Sequence, residues 1–272
     1  MKYAICNETF EGWDHARVCT RVAELGYGGL EVAPFTLAPR ITDVTAARRA
    51  ELRRQAESAG VQIIGLHWLL AKTEGFHLNS ADADVRRKTG QYLADLARAA
   101  ADLGGNILVL GSPLQRKVPA GATRQQAKDY AFDTIGHCLL TLEQTGVVLA
   151  LEPLTPAETD FMNTAAEAVG MIRRLVHPNV RLHLDVKAMS AESSPTPDVI
   201  RANAADTVHF HANDPNKRGP GFGDTDFKPI FRALRETGYG GWVSVEVFDY
   251  SPDPDTIARE SIRYMRECEK SL

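Results

Sequence analysis

An α/β fold of the single (β/α)8 type, a TIM barrel spanning residues 1–272, is the class this sequence predicts. Three observations carry it. The length of 272 residues is near that of one eight-fold barrel, about 250. Eight short runs rich in Val, Ile and Leu alternate with longer amphipathic segments. No Gly-x-Gly-x-x-Gly follows the first run, where Cys6-Asn7-Glu8-Thr9 stands instead, and that removes the main argument for an open dinucleotide-binding sheet.

The short runs are Tyr3–Cys6, Gly29–Ala33, Val61–His67, Asn106–Leu110, Val147–Glu152, Val180–Asp185, Thr207–His211 and Trp242–Val247. They are nearly continuous rather than alternating, as strands of a parallel sheet buried on both faces should be. Their starts recur roughly every 26 to 45 residues, the length of one βα unit. Helices are expected at Trp13–Leu25, Ala46–Ala59, Asp84–Leu103, Gln125–Thr145, Asn163–Val176, near Pro197–Ala205, at Phe227–Thr237 and at Pro254–Cys268. Gly26, Gly60, Gly104, Gly146 and Gly238 stand where left-handed caps would end the helices before them, and His177-Pro178 stops another. The sixth helix is the weakest, because it follows the Ser/Pro-rich stretch Ser190–Pro195. No linker or composition break divides the chain, so one domain over 1–272 is expected.

Composition narrows the partners. Hydrophobic residues make up 44% and charged residues 24%, as in an ordinary soluble globular protein. A net charge of −4 gives no basic footprint, so no nucleic acid is expected. The N-terminus holds no apolar signal core, and no apolar stretch could span a bilayer. Cys6, Cys19, Cys138 and Cys268 form no CxxC pair and read as free thiols in a reducing cytoplasm.

Chemistry collects where apolar runs end. In such barrels the active groups project from the C-terminal ends of the strands. Strand five ends Leu149-Ala150-Leu151-Glu152, strand six Leu182-His183-Leu184-Asp185, strand seven His209-Phe210-His211, and strand eight carries Val243-Ser244-Val245-Glu246. Four consecutive strands would thus set Glu152, Asp185, His211 and Glu246 around one arc of the mouth. Carboxylates so close repel and raise one another's pKa, and a divalent cation resolves the conflict. Three oxygen ligands and one imidazole suit Mn²⁺, Mg²⁺, Co²⁺ or Zn²⁺. One ion is expected, with Mn²⁺ first. His183 and His209 share faces with Asp185 and His211, and read as core histidines one layer below.

At these residues the chain resembles the sugar phosphate isomerase/epimerase branch of the xylose isomerase-like barrels, D-tagatose 3-epimerase-related ketose epimerases among them. The resemblance covers the whole chain. It is most specific at Leu151-Glu152-Pro153-Leu154, Glu158–Asn163, Leu184-Asp185, His211-Ala212-Asn213-Asp214, Gly219–Gly223 and Gly240–Glu246. It implies the same four ligands, with Glu152 and Glu246 as acid/base groups on opposite faces of a sugar. Glu158 and His67 match substrate-pocket positions, and Lys217 or Arg218 matches a basic residue for substrate oxygens. The family histidine three residues after the strand-six Asp is Ala188 here, with Lys187 beside it, and Asn213 belongs to the matching His211-Ala212-Asn213-Asp214 motif. Lys187 and Asn213 are further substrate-binding candidates. The related nuclease branch needs further ligands, whereas Val109, Leu110, Gly111 and Ala188 fill the corresponding places.

The expected function is a metal-dependent sugar isomerase or epimerase, moving a proton beside the carbonyl of a keto-sugar through an enediolate. The alternative is a metal-dependent lyase or dehydratase acting on a keto-sugar, keto-glycoside or sugar acid. The partner is a small-molecule sugar, with a homo-oligomer left open. Arg116-Lys117 and Lys217-Arg218 are candidates for an anionic substituent, and Gly219–Gly223 reads as a flexible wall.

Overall fold

A computed structural model describes residues 1–272. Eight parallel strands close into a barrel in the order β1 to β8. They are β1 Lys2–Cys6, β2 Gly29–Val32, β3 Gln62–Leu66, β4 Ile107–Leu110, β5 Val148–Leu151, β6 Val180–Asp185, β7 Thr207–Ala212 and β8 Trp242–Val245. Every expected strand is present, most of them trimmed by a residue or two at their ends. The ring closes where Lys2, Tyr3, Ala4 and Ile5 pair with Trp242, Val243, Ser244 and Val245.

The outer helices are α1 His15–Leu25, α2 Ala46–Ser58, α3 Ala83–Leu103, α4 Arg124–Gly136, α5 Leu139–Thr145, α6 Ala165–Leu175, α7 Val186–Met189, α8 Thr196–Ala202, α9 Phe227–Glu236 and α10 Pro254–Lys270. Short polar side chains set their starts by accepting from free amides. Asp14, Thr45, Asp82, Thr164, Asp226 and Asp253 do so, and Thr123 with Gln126 completes a capping box on α4. Left-handed glycines end α1, α3 and α5 at Gly26, Gly104 and Gly146, as expected.

Two expectations need correction. Gln125–Thr145 is not one helix. It breaks after Gly136, and α5 starts at Leu139. The break faces α3, where Gly90 approaches so closely that a Cβ there would lie 2.4 Å from the Thr134 carbonyl and 2.5 Å from His137 Cβ. Gly136, a poor helix former, stands at this end, and the close packing of α3 against it lies alongside. The sixth helix is preceded by the one-turn α7, started when Asp185 Oδ1 accepts from the Ala188 amide at 2.7 Å.

A core of 67 buried apolar residues lies between the sheet and the helices. Inside the barrel, Ile107, Val109 and Ala150 fill the lower layer. Above them the interior turns polar: Glu31, His67, His183, His209, His211 and Ser244 are all fully buried. The apolar floor and the polar upper layer place the chemistry at the C-terminal mouth. The Gly219–Gly223 segment packs down rather than standing loose. Cβ atoms at Gly219 and Gly221 would collide with Ser261 and Tyr264 of α10.

Candidate metal centre at the barrel mouth

Register builds the site. Asp185 pairs with His211 across β6 and β7, and His211 pairs with Ser244 across β7 and β8, two residues before Glu246. On the other side Leu110 pairs with Leu151, so the next residues, Gly111 and Glu152, come together. A Cβ at position 111 would lie 1.5 Å from Glu152 Oε2, so only glycine leaves room for this carboxylate. The ligand atoms of Glu152, Asp185, His211 and Glu246 all lie within 4.8 Å of one another, and all four residues are buried.

The electrostatics fit a cation in that space. Burial, then Glu246 and Asp185, push the Glu152 carboxyl well above the ordinary carboxylate range. Burial also raises Asp185, to about 6, although the Lys187 ammonium opposes it. Burial acts the same way on Glu246. There the neighbouring His211 and His67 rings outweigh it and hold the carboxyl well below its usual value. Two acids that resist ionisation beside a third that is ionised form a set that one divalent charge would stabilise.

The surrounding groups fix these side chains. Glu31, in mid-strand β2, sets its Oε2 2.9 Å from His209 Nε2 and 3.1 Å from His211 Nε2. Both ring nitrogens of His211 thus face carboxylate oxygens, Nε2 that of Glu31 and Nδ1 that of Glu246 at 3.1 Å. Burial alone would lower the ring, and the two acids outweigh it and push it well above the usual histidine value. Glu246 is held from behind by the Trp68 indole N–H at 2.7 Å and by His67 Nδ1 at 3.3 Å. His67 Nε2 meets Glu8 Oε2 at 2.9 Å. Trp68 adopts φ 53°, a left-handed conformation that bulky residues avoid, and this strained turn aims its indole at Glu246. The fully buried Arg116 donates to the Glu152 carbonyl at 2.7 Å and to the Leu110 carbonyl, clamping the ends of β4 and β5.

The substrate candidates divide. Lys187 Nζ donates to Glu158 and lies 4.5 Å from the Phe248 ring centroid. The other Glu158 oxygen accepts from the Thr155 hydroxyl at 2.8 Å. Asn213 accepts from the Lys187 amide at 2.9 Å and donates to Asp185. His67 touches Glu246, as given above. Lys217 and Arg218 are not brought to the quartet. Lys217 is exposed at φ 71°, and its carbonyl holds the Phe248 and Asp249 amides. Arg218 donates to the Ser251 carbonyl at 2.6 Å and stacks on Phe222. Arg116, an anion-site candidate, is spent on the two carbonyls instead.

Glu31, Glu8 and the role of Arg116 escaped the sequence reading. Glu31 had a signal: an acid inside the apolar run Gly29–Ala33, the same anomaly that marks the four strand-end groups.

A barrel mouth lined by three acids and an imidazole defines a class, and comparison with known proteins agrees. Residues 19–268 match the xylose isomerase-like TIM barrel, and the chain belongs to that family. A D-psicose 3-epimerase of Agrobacterium fabrum is 31% identical over 232 residues, covering 84% of this chain and 77% of the relative. A 3-dehydro-D-guloside 4-epimerase of Escherichia coli is 26% identical over 281 residues, covering 98% of this chain and 100% of the relative. The crystal structure of D-psicose 3-epimerase with D-tagatose from Clostridium cellulolyticum H10 superposes with a TM-score of 0.87 at 22% identity, covering 99% of each chain. No helix is long and apolar enough to cross a membrane.

Proposed function

We propose that this protein is a sugar epimerase that uses one divalent metal ion to invert a carbon beside the carbonyl of a keto-sugar, within one barrel domain over 1–272. The observation that carries the reading is the convergence of Glu152, Asp185, His211 and Glu246 within 4.8 Å. These four residues would hold the ion; three carboxylates and one imidazole suit Mn²⁺, Mg²⁺, Co²⁺ or Zn²⁺ and do not choose among them, and Mn²⁺ is the first to load in a test. When bound, it supplies the positive charge that lets a C–H bond next to a carbonyl ionise.

The proton itself is handled by the chain. Glu246, steadied by Trp68 and His67, takes it from one face of the sugar carbon. Glu152, steadied through its backbone by Arg116, returns a proton to the other face. Two carboxyls whose environments push their acidities apart are suited to such paired roles. Lys187 and Glu158, joined as an ion pair, offer a donor and an acceptor for sugar hydroxyls. Asn213 holds Asp185 in line. The relatives described above act on keto-sugars at carbon three or four by name, which supports an epimerase over a lyase.

The test is solvent exchange. The metal-loaded enzyme is incubated with keto-sugars in D2O and read by NMR. Deuterium entering one carbon, with the mass of the sugar skeleton kept, is expected. Glu152→Gln and Glu246→Gln should each abolish turnover. Full exchange in both variants, or an unsaturated or shortened product, would overturn the proposal.

A further inference from the structure

Cys6 closes β1 inside the barrel, fully buried, and the proposed reaction gives it no task. Its sulfur lies 3.9 Å from His67 Nδ1, 3.6 Å from Ser244 Oγ and 3.8 Å from Glu31 Oε2. One ligand atom each from Cys6, His67 and His211 lie within 4.8 Å of one another, and all three side chains are buried. A thiol buried for packing alone needs no such company: Cys138 is equally buried, and its sulfur meets the Ile135 carbonyl of its own helix. A second observation points to a positive charge beside this sulfur. Glu31 pairs with Cys6 across β1 and β2. Its fully buried carboxylate sets Oε2 against His209 and His211, while Oε1 has no hydrogen-bond partner. An unpartnered buried carboxylate oxygen calls for a cation or a donor.

The donor set selects the ion. One sulfur and two imidazoles favour soft or borderline cations such as Zn²⁺ and Cd²⁺ over Mn²⁺ and Mg²⁺. Zinc holds sulfur at about 2.3 Å and imidazole nitrogen at ~2.0 Å, which sets the two donors roughly 3.5 Å apart at a tetrahedral angle. Cys6 and His67 already stand near that separation. Glu246 Oε1, 3.3 Å from the same His67 nitrogen, is at hand as a fourth ligand.

We propose that Cys6, His67 and His211 form a second cation site, selective for thiophilic ions, that shares His211 with the quartet and competes with it. On binding, the Cys6 thiol releases its proton to solvent and its sulfur becomes a ligand. Two divalent charges around one imidazole repel each other strongly in a buried setting, so occupation of either site weakens the other. The chain thereby sorts cations by softness: hard ions go to the oxygen-rich quartet, and thiophilic ions are drawn to sulfur. The site requires only the folded, metal-free chain, so it stands apart from the epimerase reading.

Cadmium titration of the metal-free protein, followed by the ultraviolet thiolate-to-cadmium charge-transfer band, tests this without requiring turnover. The band should grow in the wild type and saturate at a single equivalent. Cys6→Ser, confirmed folded by its melting curve, should abolish it, and Cys138→Ala should keep it. His67→Asn, which removes a second ligand and leaves the sulfur alone, should weaken cadmium about tenfold or more. Saturating manganese should weaken it by a similar factor. No band in the wild type, a band that survives Cys6→Ser, or a cadmium affinity unmoved by both His67→Asn and manganese would overturn the site. The epimerase reading fails separately: the band would form as expected, and no keto-sugar would exchange its C–H in D2O.

Discussion

Glu31 and Glu246 grip the His211 imidazole from its two nitrogens, at 3.1 Å each. That arrangement fixes the orientation of the ring before any ligand arrives. At this scale the strand-end rule found the quartet, because an ionisable group closing an apolar run is visible in one dimension. It could not find Trp68, whose contact with Glu246 depends on a left-handed turn, nor Arg116, whose guanidinium folds back onto two carbonyls. The same residues set a pH dependence. A cation displaces protons from its carboxyl ligands, so a raised acid binds it more weakly as pH falls. Asp185 holds its proton up to about 6, through burial first, and Glu152 beyond the ordinary carboxylate range. Manganese affinity should therefore rise with pH by about tenfold per unit for each displaced proton through pH 6, and level off above the highest of these transitions. Calorimetry from pH 5 to 8 measures it. An affinity that stays flat from pH 5 to 7 would contradict these assignments.

The strands and helices were more legible than their ends. Apolar runs give β1 to β8 almost residue for residue, and the glycine caps give the ends of α1, α3 and α5. The α4–α5 break and the one-turn α7 were not read in advance: the first falls at Gly136, where α3 packs closely, and the second starts from Asp185 acting as a cap. Close approach between elements is what sequence patterning hides, and Gly65 shows its cost. A Cβ there would lie 2.2 Å from the Ile107 carbonyl, in the short β3–β4 pairing of Gly65 with Ile107 and Leu66 with Leu108. Gly65→Ala must push these strands apart, and overpacking of this kind costs about 1–3 kcal/mol. Urea unfolding should show a lower midpoint with an unchanged slope. A midpoint equal to the parent's would mean the pairing yields without strain.

At the scale of the whole molecule, the barrel is an apolar cylinder with a polar upper layer. Ile107, Val109 and Ala150 fill its floor, and the buried histidines with Glu31 support the quartet above. Closure brings Glu8 of the first loop and Tyr250 of the last beside His67 and Glu246, residues far apart in the chain. Partial desolvation of its ring-end hydroxyl, then Glu8 and Glu246, push the otherwise exposed Tyr250 up, which marks how near the two ends of the sequence come to the centre. Fold class was legible from length and alternation because a closed eight-fold repeat has few alternatives. The central claim is that four strand ends share one cation, and anomalous diffraction from crystals grown with manganese tests it most directly. One strong peak should lie among Glu152, Asp185, His211 and Glu246. No peak there, or a peak held by Glu8 and His67 instead, would contradict it.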